Sequence, residues 1–340
     1  MTPVDAVPPI QIVGAPFDLC GLRLGSRLGP AAVRLAGLRA TLEEAGLTVR
    51  DPGDPVYVHE PTEGPGLRNF EALFFALKGT RDRVAVAFET GAFPLVLGGE
   101  HTLSAASVGA ALDATGGDLA VLWIDAHADI NTPGSSDTGN IHGMPIAALA
   151  GMDSETDDAR IDREWGQMKD ALGATCLDPA HVAWFGLRDV DPSERDRLAG
   201  LPITMHEIDR YGIERCLERV FEWLAGTGCR NLWISFDVDA LDPFLAPGTG
   251  TAVRGGLSYR EAHLLAELLS EWLGAEECPV RLIGLDVMET NPIFDANNGT
   301  ATVAVEWIAS LFGKRILGGA TAPLGIKDDE ERGTGARSLR

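Results

Sequence analysis

Asp125, His127 and Asp129 occupy alternate positions in one short stretch, and Asp237 and Asp239 repeat the spacing far downstream. In an extended segment alternate residues share a face, so each stretch is expected to bring its ionisable groups to one point. Four carboxylates gathered in a buried place repel one another unless cations neutralise them. His101, in the run Gly98-Gly99-Glu100-His101, adds a second imidazole. Four oxygen donors and two imidazoles, without sulfur, suit manganese better than a thiolate zinc site. With one or two bridging carboxylates, six such side chains can hold two ions about 3.5 Å apart. Two ions sharing a water lower its pKa from about 15.7 to nearer 7, which makes hydrolysis the expected chemistry. The plain structural alternative is that these acids cap the helices that follow them. Against it, charged residues recur in the same way after several separate apolar runs.

Two further residues lie near this set. Glu289 follows the apolar run 283–288 and could pair with a cationic substrate head, or else with a framework arginine. His142, in the loop Gly139-Asn140-Ile141-His142-Gly143, could move protons, or else serve only the loop's structure. His59, His181, His206 and His263 stand apart from any such grouping and read as structural.

The elements that must position these residues follow from hydrophobic runs and chain breakers. Short apolar runs predict strands at 10–13, 47–50, 93–97, 119–124, 181–185, 202–205, 232–236 and 280–285. Helices are expected at 30–45, with Pro30 in the first turn and Gly46 as the stop, and at 67–90. Others are expected from 102 and near 193–199, 212–225, 258–273 and 300–312. Ser258 and Glu261 have capping-box spacing. Residues 151–180 read as acidic surface helix and loop. Eight strands alternating with helices imply an α/β fold of three layers, α/β/α, with a parallel sheet covered on both faces. Ligands of such sheets bind beyond the carboxyl ends of the strands. His101, the 125–129 stretch, Asp189, Asp191, Asp237, Asp239 and Glu289 all fall there. We read residues 1–9 as an N-terminal extension, 10–320 as one catalytic domain and 321–340 as a polar tail.

Composition narrows the partners. A formal net charge of -22 over 340 residues, 45% of them hydrophobic, allows a large core and opposes binding to nucleic acid or an anionic membrane. The acidic runs 153–164 and 328–331 read as solvated surface. Five scattered cysteines without a CxxC pair suggest neither a disulfide framework nor a zinc site. With no apolar run long enough for a bilayer and no signal-peptide pattern at the N-terminus, a soluble cytoplasmic protein is expected.

Four stretches, GGEHT at 98–102, DAHADIN at 125–131, SFDVDALDP at 235–243 and GLDVMETNP at 284–292, resemble in order the signatures of the ureohydrolase family, and within it the arginases. The resemblance covers residues 10–315. It implies a binuclear manganese centre and attack of a metal-bridging hydroxide on a guanidino compound, releasing urea and an amine. One ion would be held by His101, Asp125, Asp129 and Asp237, the other by Asp125, His127, Asp237 and Asp239. His142 matches the proton-shuttling histidine and Glu289 the guanidinium-binding carboxylate, with Asp129 counted among the catalytic groups. Asn131, Ser136, Thr138 and Asn140 match a loop that binds the α-carboxylate of L-arginine. Asp191 matches the residue that meets its α-ammonium, and Thr251 is placed with the substrate set. Glu100 departs from the family, where aspartate is common. Homotrimers or homohexamers are implied. Competing expectations are a ureohydrolase for agmatine or guanidinobutyrate, a single-zinc amidohydrolase of the histone-deacetylase kind, which the six-ligand set opposes, and an inactive metal-binding homologue.

Overall fold

The computed structural model describes residues 8–58, 60–62 and 64–314. His59, the start of the N-terminal extension and the polar tail with its acidic run lie outside the described residues. Apolar residues at every second strand position drive the architecture. In β1 (Ile10–Ala15) Ile10 and Ile12 face one core, while Val13 and Ala15 face another. The chain continues through α1 (Gly29–Leu35), α2 (Leu38–Glu44), β2 (Val49–Arg50), α3 (Phe70–Glu89), β3 (Phe93–Gly98), α4 (Ser104–Thr115) and β4 (Ala120–Ile124). It then forms α5 (Pro145–Leu149), α6 (Ala159–Leu172), β5 (Val182–Leu187), β6 (Leu201–Thr204), α7 (Met205–Thr227) and β7 (Asn231–Asp237). It ends in α8 (Tyr259–Leu273), β8 (Arg281–Met288) and α9 (Gly299–Leu311).

All eight strands are parallel, in the order β2-β1-β3-β8-β7-β4-β5-β6. Helices α1, α2, α7, α8 and α9 cover one face and α3 to α6 the other, giving the expected three layers. The alternation is strict in β4, where Leu122 and Ile124 point to one core and Val121 and Trp123 to the other. No helix among the described residues is long and apolar enough to cross a membrane.

Several local expectations are corrected. The helix expected over 30–45 is two helices, because Gly37 takes φ 93° between α1 and α2, a conformation costly for other residues. Helix 212–225 starts earlier, at Met205, behind a capping box of Thr204 and Glu207, and it kinks at Gly212 (φ 80°, ψ 162°). The stretch 193–199 forms only a 3-10 turn, Arg195–Arg197. The acidic run at 153–164 is not solvated throughout. Glu164 is buried, accepts from the Leu67 amide at 2.7 Å and pairs with Arg160 at 2.8 Å, while Trp165 beside it fills the core. The capping box of Ser258 and Glu261 at the start of α8 is present as expected.

Candidate metal centre

The strand order explains why the ionisable residues meet. The five neighbouring strands β3-β8-β7-β4-β5 end, respectively, near His101, Glu289, Asp237, Asp125 and Asp189. Ile124 of β4 lies opposite Phe236 of β7, so the next residue of each, Asp125 and Asp237, emerge side by side. The local geometry differs from the extended segment expected from spacing. The His127 amide donates to Asp125 Oδ1 at 2.7 Å, and the Asp239 amide donates to Asp237 Oδ1 at 2.7 Å. Each aspartate thus closes a tight turn with its own carboxylate, and the turns, not alternation along a strand, bring the side chains together. Asp129 and Glu289 sit at φ 53° and 60°, positive values uncommon for residues with a side chain and characteristic of functional sites.

Two ligand groups result, His101 with Asp125 and Asp237, and Asp125 with His127 and Asp239. His101 Nδ1 lies 3.0 Å from Asp125 Oδ2, 3.2 Å from Asp129 Oδ2 and 3.0 Å from Asp237 Oδ2. His127 Nδ1 lies 3.1 Å from Asp239 Oδ2. All six expected ligands are therefore gathered, with Asp125 common to both groups. His101 Nδ1 is buried and makes no hydrogen bond although three carboxylates surround it. Burial opposes a charged ring here, but the three carboxylates hold His101 well above its ordinary value, so the place favours positive charge, and the mixed oxygen and imidazole donors fit a pair of divalent metals. The electrostatics agree. Burial, with Asp125 nearby, pushes Asp129 up to about 6, and burial with Asp239 and Asp125 pushes Asp237 well above the usual carboxylate range. Three indoles on one face of the sheet stiffen the site. Trp123 Nε1 donates to Asp125 Oδ2, Trp184 Nε1 to the Ala128 carbonyl and Trp233 Nε1 to Asp286 Oδ2.

The groups open on a cleft. His142 lines it, with Nδ1 2.9 Å from Glu289 Oε1. Glu289 is buried below, and its Oε1 also accepts from the His101 amide at 3.0 Å. Burial opposes a charged His142, but the bond to Glu289 together with the negative charges of Glu289, Glu100 and Asp129 outweighs it and raises the imidazole above its ordinary value. Asn131, Ser136, Thr138, Asn140, Asp191 and Thr251 all line the cleft. Ser136 Oγ accepts from the Gly139 amide and Thr138 Oγ1 from the Asn140 amide, so at least one of the two hydroxyl protons remains to be donated outward. Asn131 gives its amide nitrogen to Asp191 at 2.9 Å. Thr251 Oγ1 donates to Asp239 Oδ2 at 2.8 Å, which ties it to the ligand set as well as to the cleft wall.

Sequence reasoning missed three supporting residues. Glu194 accepts from the amides of Ile130 and Asp191, and burial pushes it up to about 7. Arg68 donates to Asn140 Oδ1, which leaves the Asn140 amide nitrogen as its free donor. The half-buried Arg188 donates to the carbonyls of Asp239, Ala240, Leu241 and Val253 and so clasps the turn after β7. Of these only Arg188 carried a signal, standing beside Asp189 after the apolar run 181–185. Glu100 reaches away from the ligand groups, to the Cys20 amide at 2.8 Å and Thr102 Oγ1 at 2.9 Å, so its departure from aspartate leaves the ligands undisturbed. His263 bonds Ser310 and His181 faces Cys229, as structural residues do.

The arginase family profile matches residues 8–313. An arginase of Staphylococcus aureus is 38% identical over 316 residues, covering 91% of this chain and 98% of its own. Arginase-1 of Rattus norvegicus is 36% identical over 321 residues, covering 90% and 93%. The solved arginase of Bacillus caldovelox superposes with a TM-score of 0.81 at 36% identity, covering 91% of this chain and all of the other.

Proposed function

Because the chain belongs to the arginase family, we propose that it hydrolyses L-arginine to L-ornithine and urea with two manganese ions as cofactors. The observation that carries this reading is the pair of buried ligand groups sharing Asp125 at the floor of a cleft whose rim offers hydrogen-bond donors. His101, Asp125, Asp129 and Asp237 would hold one ion, and Asp125, His127, Asp237 and Asp239 the other. When bound, two such cations supply the Lewis acidity that makes a water nucleophilic at neutral pH. The residues themselves supply binding and proton transfer. Asn131, Asn140 and the hydroxyls of Ser136 and Thr138 meet the substrate's α-carboxylate. Asp191 meets the α-ammonium, and Thr251 steadies Asp239 at the cleft wall. Glu289 supplies negative charge toward the guanidinium and anchors His142 through Nδ1. His142 is then left to deliver a proton from Nε2 to the departing amine of ornithine, and its raised basicity favours the protonated form that this needs.

We extend the reading to one catalytic unit over 10–320, to a cytoplasmic location and to a homotrimer or homohexamer. The last rests on family likeness and is decided by sedimentation. Urea release from a panel of guanidino compounds, with manganese restored after chelation, tests the reading as a whole. Arginine should lead the panel, and release from none of the compounds would refute it.

His142→Asn is expected to lower turnover about 10²- to 10⁴-fold while metal content stays at the wild-type level. Equal loss of metal and rate, read by elemental analysis beside the assay, would make this histidine a ligand or a structural support. Glu289→Gln is expected to retain the metals and lower kcat/KM about 10- to 100-fold, the worth of one charged hydrogen bond. An unchanged kcat/KM would assign Glu289 to the framework.

A further inference from the structure

Behind His101 lies a polar chain buried in the sheet that the reaction above does not use. Asp286, in the middle of β8, is fully buried and stands directly across from Ser235 of β7. A carboxylate has no business in such a place unless its acceptor positions are filled, and here they are. Oδ1 receives the hydroxyls of Ser235 at 2.5 Å and Ser104 at 3.0 Å. Oδ2 receives Ser107 Oγ at 2.6 Å and Trp233 Nε1 at 2.8 Å. Four donors meet the four lone-pair sites of one carboxylate.

The directions of these bonds propagate. An ionised carboxylate only accepts, and the Ser235 hydroxyl, 2.5 Å from Asp286 Oδ1 and 3.2 Å from Ser104 Oγ, gives its single proton to the nearer, charged acceptor. Ser235 Oγ is also 2.8 Å from His101 Nε2. With its proton already given, the oxygen can only accept there, and His101 must carry its hydrogen on Nε2. In the neutral ring that binds a cation the other nitrogen, Nδ1, is then bare, and it is the atom that faces Asp125, Asp129 and Asp237. The ring itself is held flat against Trp123, with centroids 4.1 Å apart and planes 10° from parallel.

We infer that Asp286, acting through Ser235, is a positioning residue that fixes the Nε2–H tautomer of His101 and thereby presents a bare Nδ1 to the cation. The inference rests on the metal reading above. Partners behind metal-bound imidazoles set tautomer and ring orientation, and removing them typically weakens metal binding about 10- to 100-fold.

The relay has a polarity, and an isosteric change reverses it. In Asp286→Asn, Trp233 Nε1 can only donate, so the amide oxygen must turn to the Oδ2 position and the NH₂ group to the Oδ1 position. The NH₂ group then donates to Ser235, whose proton is driven toward His101 Nε2. The imidazole hydrogen is forced onto Nδ1, where it opposes the cation.

The test is stepwise manganese binding by the full-length, metal-stripped protein, followed by electron paramagnetic resonance of the free ion, with urea unfolding of the metal-free protein alongside. Wild type should take up two ions. Ser235→Ala and Asp286→Asn should each weaken one ion about 10- to 100-fold and leave the other near its wild-type affinity. Ser235→Ala, the smaller change, decides the matter alone if Asp286→Asn does not fold. Wild-type affinity for both ions in either folded variant would overturn the relay. So would parallel weakening of both ions with a lowered unfolding midpoint, which would mark a packing role. A wild type that binds no ion would instead bring down the metal reading, and this inference with it.

Discussion

Asp125→Ala and Asp237→Ala should each reduce urea release to background, the largest effects expected from any single substitution in this chain. The two side chains emerge from neighbouring strands in register, and Asp125 belongs to both ligand groups. Each aspartate also closes the turn that carries its neighbour, through the bonds to the amides of His127 and Asp239. Alanine therefore removes charge from the cation sites and unties the loop that presents the next ligand. Loss of one shared carboxylate should cost both ions, so metal analysis should fall from two per chain toward none. A peripheral ligand such as His127, 25% exposed at its side chain, should cost less. If Asp125→Ala kept one tightly held ion and substantial activity, the sharing of Asp125 between two ions would be wrong.

The second large effect concerns the choice of guanidine. Agmatine lacks the α-carboxylate of arginine and keeps its ammonium, so it leaves the rim's donors without a partner while Asp191 still has one. Where such groups are buried the penalty reaches about 10⁴ or more, and a wet rim discriminates less. This rim is mixed, with Asn131 and Asn140 buried and Thr138 and Asp191 exposed. Arginine is accordingly expected to exceed agmatine in kcat/KM by about 10² to 10⁴. Asp191→Ala should lower kcat/KM for both compounds, and for arginine the more, so that the gap narrows. It removes the acceptor for the α-ammonium, and it also releases the Asn131 amide that Asp191 holds at 2.9 Å. A higher kcat/KM for agmatine or guanidinobutyrate would move the substrate assignment and leave the hydrolysis of a guanidino group standing.

The strands and the gathering of the six ionisable side chains were legible in the sequence because each depends on local pattern. Buried parallel strands are short apolar runs, and carboxylates placed just after such runs have few uses other than a ligand site. The means by which the ligands converge was not legible. Spacing of two suggested an extended edge, whereas Asp125 and Asp237 each bend the chain by accepting an amide two residues on, a choice that depends on where the neighbouring strand ends. The break at Gly37 was hidden for a related reason: hydrophobic periodicity continues across it, and only the positive φ of the glycine separates the segments. Asp286 inside an apolar strand resembled any strand-end acid until the register of β7 and β8 set it opposite Ser235. Arg68 and Asn140 lie far apart in sequence, and nothing in either segment announces the bond between them.

The most direct measurement is a titration of the metal-stripped protein with manganese while urea release from L-arginine is followed. Activity should rise with metal added and reach its plateau at two ions per chain. Full activity with one tightly bound zinc per chain, unchanged by added manganese, would contradict the account.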